Sequence, residues 1–103
     1  MELSYTLLSE AQLRDALPAL SLWTVTDAKL ERVVKLDHYL EAFPLAARIG
    51  ELAEELNHHP DLLIGYQKLT IRTETHDAGG LTSYDFELAR RIESYITQSS
   101  TRP

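Results

Sequence analysis

At 103 residues, with 44% hydrophobic and 25% charged residues, the chain is sized for one globular domain with a real core, which excludes two catalytic domains and global disorder. A net charge of −6, with ten scattered Lys and Arg, argues against direct nucleic-acid binding, which needs clustered cations to displace counterions. The absence of cysteine excludes disulfides, thiolate nucleophiles and Cys-ligated zinc or iron–sulfur sites.

The N-terminus has neither a basic region nor a long apolar run, and no stretch approaches eighteen apolar residues, so a cytoplasmic protein that avoids membranes is expected. Ser9 is a plausible N-cap with Gln12 three positions on. Leu13, Ala16 and Leu17 follow at helical spacing until Pro18, predicting a short first helix. Between Ser21 and Asp37, apolar residues on either side of a polar Thr26 to Lys29 segment predict a hairpin of two strands.

Asp37 can cap a long second helix whose core stripe is Phe43, Ala46, Ala47, Ile49, Ala53 and Leu56, ending near Asn57. Pro44 conflicts with that start, because proline inside a helix costs roughly 3 kcal/mol, so a kink or a later start is expected. Residues 62–75 read as two strands divided near Gly65 to Lys68, with Leu69, Ile71 and Thr73 on one face and Lys68, Thr70, Arg72, Glu74 and His76 on the other. After a turn at Ala78 to Gly80, Thr82 and Asp85 offer a capping box for a last helix striped with Leu88, Ala89, Ile92, Tyr95 and Ile96.

The order α-β-β-α-β-β-α predicts an α+β domain over 1–103, with a four-stranded antiparallel sheet and three helices packed on one face. Its core spans about 8–97, and a frayed tail is expected over 98–103.

Three of the four histidines, His58, His59 and His76, fall within one short stretch, and imidazole moves protons near neutral pH without a metal or covalent nucleophile. Glu54 lies four residues before His58, on the same face if the helix persists, where it can orient the ring; equally, His58 can simply sit at a helix C-terminus. His59 precedes Pro60, which pushes it into an extended conformation, so the two adjacent rings diverge. His76 sits at a strand-to-turn junction beside small residues. Asp85 reads first as a helix cap that can hold the site indirectly. Trp23 and Tyr66 can wall a pocket or pack in the core, with packing the better reading for Trp23. Zinc is disfavoured, since no His-Glu-x-x-His or other tight ligand spacing occurs.

Taken together, Glu54-x3-His58-His59-Pro60-x5-Tyr66-x9-His76-x8-Asp85 resembles the signature of the pterin-4a-carbinolamine dehydratase family, and the likeness extends from Leu17 and Pro18 to the final helix. The resemblance implies a dehydratase that uses no cofactor and no metal. It acts on a 4a-hydroxytetrahydropterin, such as 4a-hydroxytetrahydrobiopterin, in tetrahydropterin recycling. It further implies that His58, His59 and His76 are catalytic, with His58 and His76 sharing acid and base roles, His59 anchoring the pterin and Glu54 orienting His58. Asn57, Glu54, Trp23, Glu74, Thr75 and Asp77 would contact substrate, with Tyr66 and Asp85 in support. A homodimer or homotetramer is expected. The rival is a non-catalytic pterin-binding module, or an assembly or transcription-coactivator module, on the same fold.

Overall fold

In the computed structural model, which describes residues 2–100, the Asp27 and Ala28 turn joins β1 (Thr24–Thr26) to β2 (Lys29–Lys35) as the hairpin expected from sequence. Both turn residues have positive φ, 52° and 61°, the conformation that a two-residue hairpin loop needs to match strand twist. Alanine is a poor occupant of that region, at a cost of about 1–2 kcal/mol. Ala28→Gly should therefore raise the thermal midpoint by a few degrees, and a lower midpoint would show that the strain is not there.

Ser9 and Gln12 close a full capping box on α1 (Glu10–Ala16): the Gln12 amide donates to the Ser9 hydroxyl at 3.1 Å and the Ser9 amide donates to Gln12 Oε1 at 2.9 Å. The helix gives way to a 3-10 turn at Leu17–Leu20 that contains Pro18.

The second helix begins later than Asp37. A 3-10 turn at Tyr39–Glu41 intervenes and α2 spans Ala42–Leu56, so Pro44 occupies the first turn, where an amide would have no intrahelical partner and its absence costs little. The core stripe also differs from the expected one. Ala42, Ile49, Leu52, Ala53 and Leu56 are buried, whereas Phe43 and Ala47 face outward and Phe43 packs edge-on against Tyr39.

Two strands, β3 (Asp61–Gly65) and β4 (Lys68–Thr73), flank a Tyr66 and Gln67 turn, and all four strands form one antiparallel sheet in the order β1-β2-β4-β3. Leu30, Val34, Leu69, Ile71 and Thr73 fall on the same sheet face by register and are buried with Ile49, Leu52, Leu88, Ala89 and Ile92 of the helices. Each fully buried Leu or Ile contributes about 1.5–3 kcal/mol relative to exposure. Thr70, expected on the polar face, is buried too, between Val33 and Leu63 in register on the outer side.

The last helix, α3, spans Ser83–Ser100, and of the tail expected to fray over 98–103, residues 101–103 lie outside the described residues. The element order and the α+β class follow the sequence reading. No helix among the described residues is long and apolar enough to cross a membrane.

Candidate active site

Asn57 ends α2 in the left-handed conformation (φ 52°, ψ 44°), and the His58 amide bonds back to the Ala53 carbonyl at 3.0 Å in a Schellman-type closure. This reversal separates the two adjacent imidazoles. His58 turns inward, 8% exposed, while His59 stays out in the extended stretch before Pro60, 58% exposed.

Asp85, completely buried in the first turn of α3, receives His58. Four donors converge on its carboxylate: His58 Nε2 at 2.6 Å and Thr73 Oγ1 at 2.7 Å on Oδ1, Thr75 Oγ1 at 2.8 Å and the Thr82 amide at 3.0 Å on Oδ2. Burial opposes ionisation of Asp85, yet the hydrogen bonds from His58, Thr73, the Thr82 amide and Thr75 outweigh it and hold the carboxyl below its usual range. An ionised carboxylate only accepts, so Nε2 of His58 carries the proton that it donates. No buried side-chain nitrogen or oxygen among the described residues lacks a partner, which puts Nδ1 on the open side of the ring.

Asp85 is also the helix cap read from sequence. Its bond from the Thr82 amide is one half of the Thr82-x-x-Asp85 capping box, while Thr82 Oγ1 accepts from the Tyr84 amide at 3.3 Å, one residue short of the other half. One carboxylate thus starts α3 and fixes a histidine from the end of α2.

Beyond β4, a bridge between Thr75 and Gly80 closes a small loop, with the His76–Ala78 turn at its tip and Gly79 at φ 77°. A side chain at Gly80 would meet Leu7 at 2.8 Å, so glycine lets the N-terminal segment seat against the loop. His76 stands free at the rim, 93% exposed, with Nδ1 4.0 Å from Glu74.

These elements enclose a cavity of about 540 Å³ lined by Tyr5, Asn57, His58, His59, Glu74, Thr75, His76, Asp77 and Ala78. The size suits a small bicyclic ligand. A more apolar hollow of about 270 Å³, between the Leu17–Leu20 turn and α3, holds no histidine, and its one carboxylate, Glu87, is tied up by Arg90 and Arg91.

The structure therefore brings together His58, His59, His76, Asn57, Glu74, Thr75 and Asp77. Glu54 takes a different part from the one expected. It does not orient His58 but accepts from His59 Nε2 at 2.6 Å, because the helix ends before His58 and the four-residue spacing no longer aligns the pair. Trp23 lies apart in the core, 3% exposed, donating through Nε1 to Glu93 at 2.9 Å, where the Arg32 guanidinium also bonds. Tyr66, 79% exposed, sits in the turn at the far end of β3 and does not line the cavity.

Sequence reasoning passed over Tyr5 and Tyr84, whose rings stack at 4.2 Å, with Tyr84 5.7 Å from His58. It also passed over Thr73 and the hydroxyl relay from Thr82 through Thr75 to Asp85. The period-two pattern already put Thr73 on the inner face, and an inward hydroxyl needs a partner. Nothing in the sequence pointed to Tyr5.

The chain and its α+β fold have counterparts among known proteins. The family model described as pterin 4 alpha carbinolamine dehydratase matches residues 6–95. A relative from Solibacter usitatus, provisionally named a pterin-4-alpha-carbinolamine dehydratase, is 42% identical over 86% of this chain and 94% of its own. One from Sulfurisphaera tokodaii, named in the same provisional way, is 33% identical over 87% and 97%. The crystal structure of a transcriptional coactivator/pterin dehydratase from Brucella melitensis superposes with a TM-score of 0.79 at 30% identity, covering 84% of this chain and 95% of that one. The chain belongs to the pterin 4 alpha carbinolamine dehydratase family.

Proposed function

We propose that the protein is a 4a-hydroxytetrahydropterin dehydratase, a hydro-lyase that eliminates water by histidine acid–base chemistry in tetrahydropterin recycling. The observation that carries the reading is the His58 ring, fixed by a buried, ionised Asp85 at the wall of a cavity that His59 and His76 also line.

The reaction needs a proton for the C4a hydroxyl as its bond to carbon breaks, and a base for the N5 proton as the C4a=N5 bond forms, giving water and the quinonoid dihydropterin. His58 suits the base. With Nε2 occupied by Asp85, Nδ1 takes the N5 proton, and the positive charge arriving on the ring sits beside a carboxylate. His76 suits the acid, since a solvent-exposed ring reprotonates from water after each turnover. His59, held by Glu54 at the rim, anchors the pterin, with Asn57, Glu74, Thr75 and Asp77 offering polar contacts. Nothing in this scheme calls for a cofactor, and the cysteine-free composition suits a reducing cytoplasm.

The test is dehydration of a freshly generated 4a-hydroxytetrahydropterin, followed against the uncatalysed rate with His58→Ala as control. Wild type should exceed the background many-fold, and a rate equal to background ends the enzymatic reading. In the same assay His59→Ala should raise KM more than it lowers kcat, because an exposed anchor contributes to substrate and transition state alike. A second reading, a non-catalytic module that keeps the pocket, is favoured by the double name of the Brucella melitensis protein; it predicts pterin binding without turnover.

A further inference from the structure

The N-terminal segment from Ser4 to Leu8 forms a strap across the pocket end of the molecule. The Ser4 amide donates to Ser83 Oγ at 2.7 Å, Ser83 Oγ donates back to the Ser4 carbonyl at 3.1 Å, and the Leu8 amide donates to the Leu81 carbonyl at 2.9 Å. Between these fixed points Tyr5 lies against Tyr84, centroids 4.2 Å apart and planes 12° from parallel, and lines the histidine cavity. The family model begins at residue 6, one position beyond it.

We propose that Tyr5 is a substrate-binding residue, an aromatic platform against which the flat amide–guanidine edge of the pterin stacks. The inference rests on the dehydratase reading and extends it to a residue outside the family match. The carbon that carries the hydroxyl is tetrahedral, but the conjugated amide–guanidine edge of the pterin is flat and gains from an aromatic face, and Tyr5 is the sole non-histidine ring among the described residues lining the cavity. The other aromatic candidates lie elsewhere: Trp23 is sealed in the core, and Tyr66 sits in a distant turn.

A purely structural role fits poorly. Tyr5 is 56% exposed and absent from the hydrophobic core and its packed margin, and backbone and serine bonds on both sides already pin the strap. Stacking on Tyr84 does something else: it fixes the plane of the Tyr5 ring before substrate arrives, so that little ordering cost remains to be met on binding. Tyr84 in turn packs at 5.7 Å from His58, which places the platform and the proton-handling ring in one aromatic run.

The experiment compares wild type, Tyr5→Phe and Tyr5→Ala in steady-state dehydration, in fluorescence titration with 7,8-dihydrobiopterin as a stable probe, and in thermal melting. Tyr5→Ala should raise KM and the probe's Kd together by roughly 3- to 10-fold, the size of one aromatic stack, with kcat within about twofold of wild type. Tyr5→Phe should restore both constants, and the melting midpoint should stay within a few degrees. Unchanged KM and Kd in Tyr5→Ala overturn the platform while leaving the dehydratase reading intact. A loss confined to kcat or to the melting midpoint overturns it as well, since either marks a structural part. Wild type that neither dehydrates the substrate nor binds the probe defeats the dehydratase reading itself, and the platform with it.

Discussion

Asp85→Asn should fold almost as well as wild type and yet lose about 10²- to 10⁴-fold in kcat, the scale of loss expected when a histidine is left in the wrong tautomer. The carboxylate accepts four hydrogen bonds, two on each oxygen. An amide offers one oxygen and one NH2, so one pair of former donors must become acceptors. The Thr82 amide cannot reverse, which directs the Asn oxygen to the Oδ2 position and the NH2 to the Oδ1 position. There Thr73 can turn its hydroxyl, and His58 can accept through Nε2 only by moving its own proton to Nδ1. The network is then satisfied, but the nitrogen facing the pocket has become a donor and can no longer take a proton.

Asp85→Ala removes the acceptors altogether. It leaves buried donors unpaired at about 1–3 kcal/mol each, and the existing bond between Thr75 and Thr82 cannot take up the proton that Thr75 gave to Asp85. A net loss of roughly 3–5 kcal/mol corresponds to about 10–25 °C in a domain of this size. Near-wild-type turnover in Asp85→Asn, measured beside a melting curve, would remove Asp85 from any role in orienting His58.

The same carboxylate gives stability a pH dependence with a definite sign. Its folded pKa is lowered from the ordinary 3.8, so the stabilisation is complete above that value and is lost as pH falls through the lower, folded pKa. Wild type should therefore lose stability in the acid limb below about pH 4 more steeply than Asp85→Asn, in which this group cannot titrate. Parallel melting midpoints for the two proteins down that limb would assign the acid sensitivity elsewhere. Glu87, lowered to about 2 first by its bonds from Arg90 and then by Arg91, is present in both proteins and cancels from the difference.

What was legible in the sequence was local. The capping boxes of Ser9 with Gln12 and of Thr82 with Asp85 span three residues, the hairpin at Asp27 and Ala28 spans two, and strand faces repeat every second residue. Such patterns are written within the reach of a turn. The pairing of His58 with Asp85 joins residues 27 apart, and that of Trp23 with Glu93 joins residues 70 apart, which no spacing rule encodes. The Glu54 expectation shows where local reasoning stops: a four-residue step is informative only while the helix lasts, and one left-handed residue at Asn57 sends His58 to a different carboxylate. The α2 stripe ran along one edge of the true one, with Phe43 outside and Leu52 inside, because periodicity alone does not say which flank of a stripe meets the sheet. Family resemblance located the histidines, whereas which carboxylate holds which ring needed three dimensions.

His58→Ala and His76→Ala should each lower kcat by about 10²- to 10⁴-fold, the usual worth of a positioned acid or base. Their environments predict different responses beyond that common loss. His58 is buried against Asp85, so its removal leaves an ionised carboxylate in a closed site and should also lower the melting midpoint, whereas His76 is 93% exposed and its loss should leave the midpoint where it was. Added imidazole should restore part of the His76→Ala rate, because a small buffer molecule can reach the rim and protonate the leaving hydroxyl. It should do less for His58→Ala, where the ring must enter a pocket and be oriented by Asp85. The double variant should fall short of the product of the two losses, since an acid and a base acting in one elimination are worth little without each other. Unaltered rates in both single variants would take both rings out of the mechanism. Equal rescue by imidazole would sink the division between a buried base and a rim acid while leaving histidine catalysis standing.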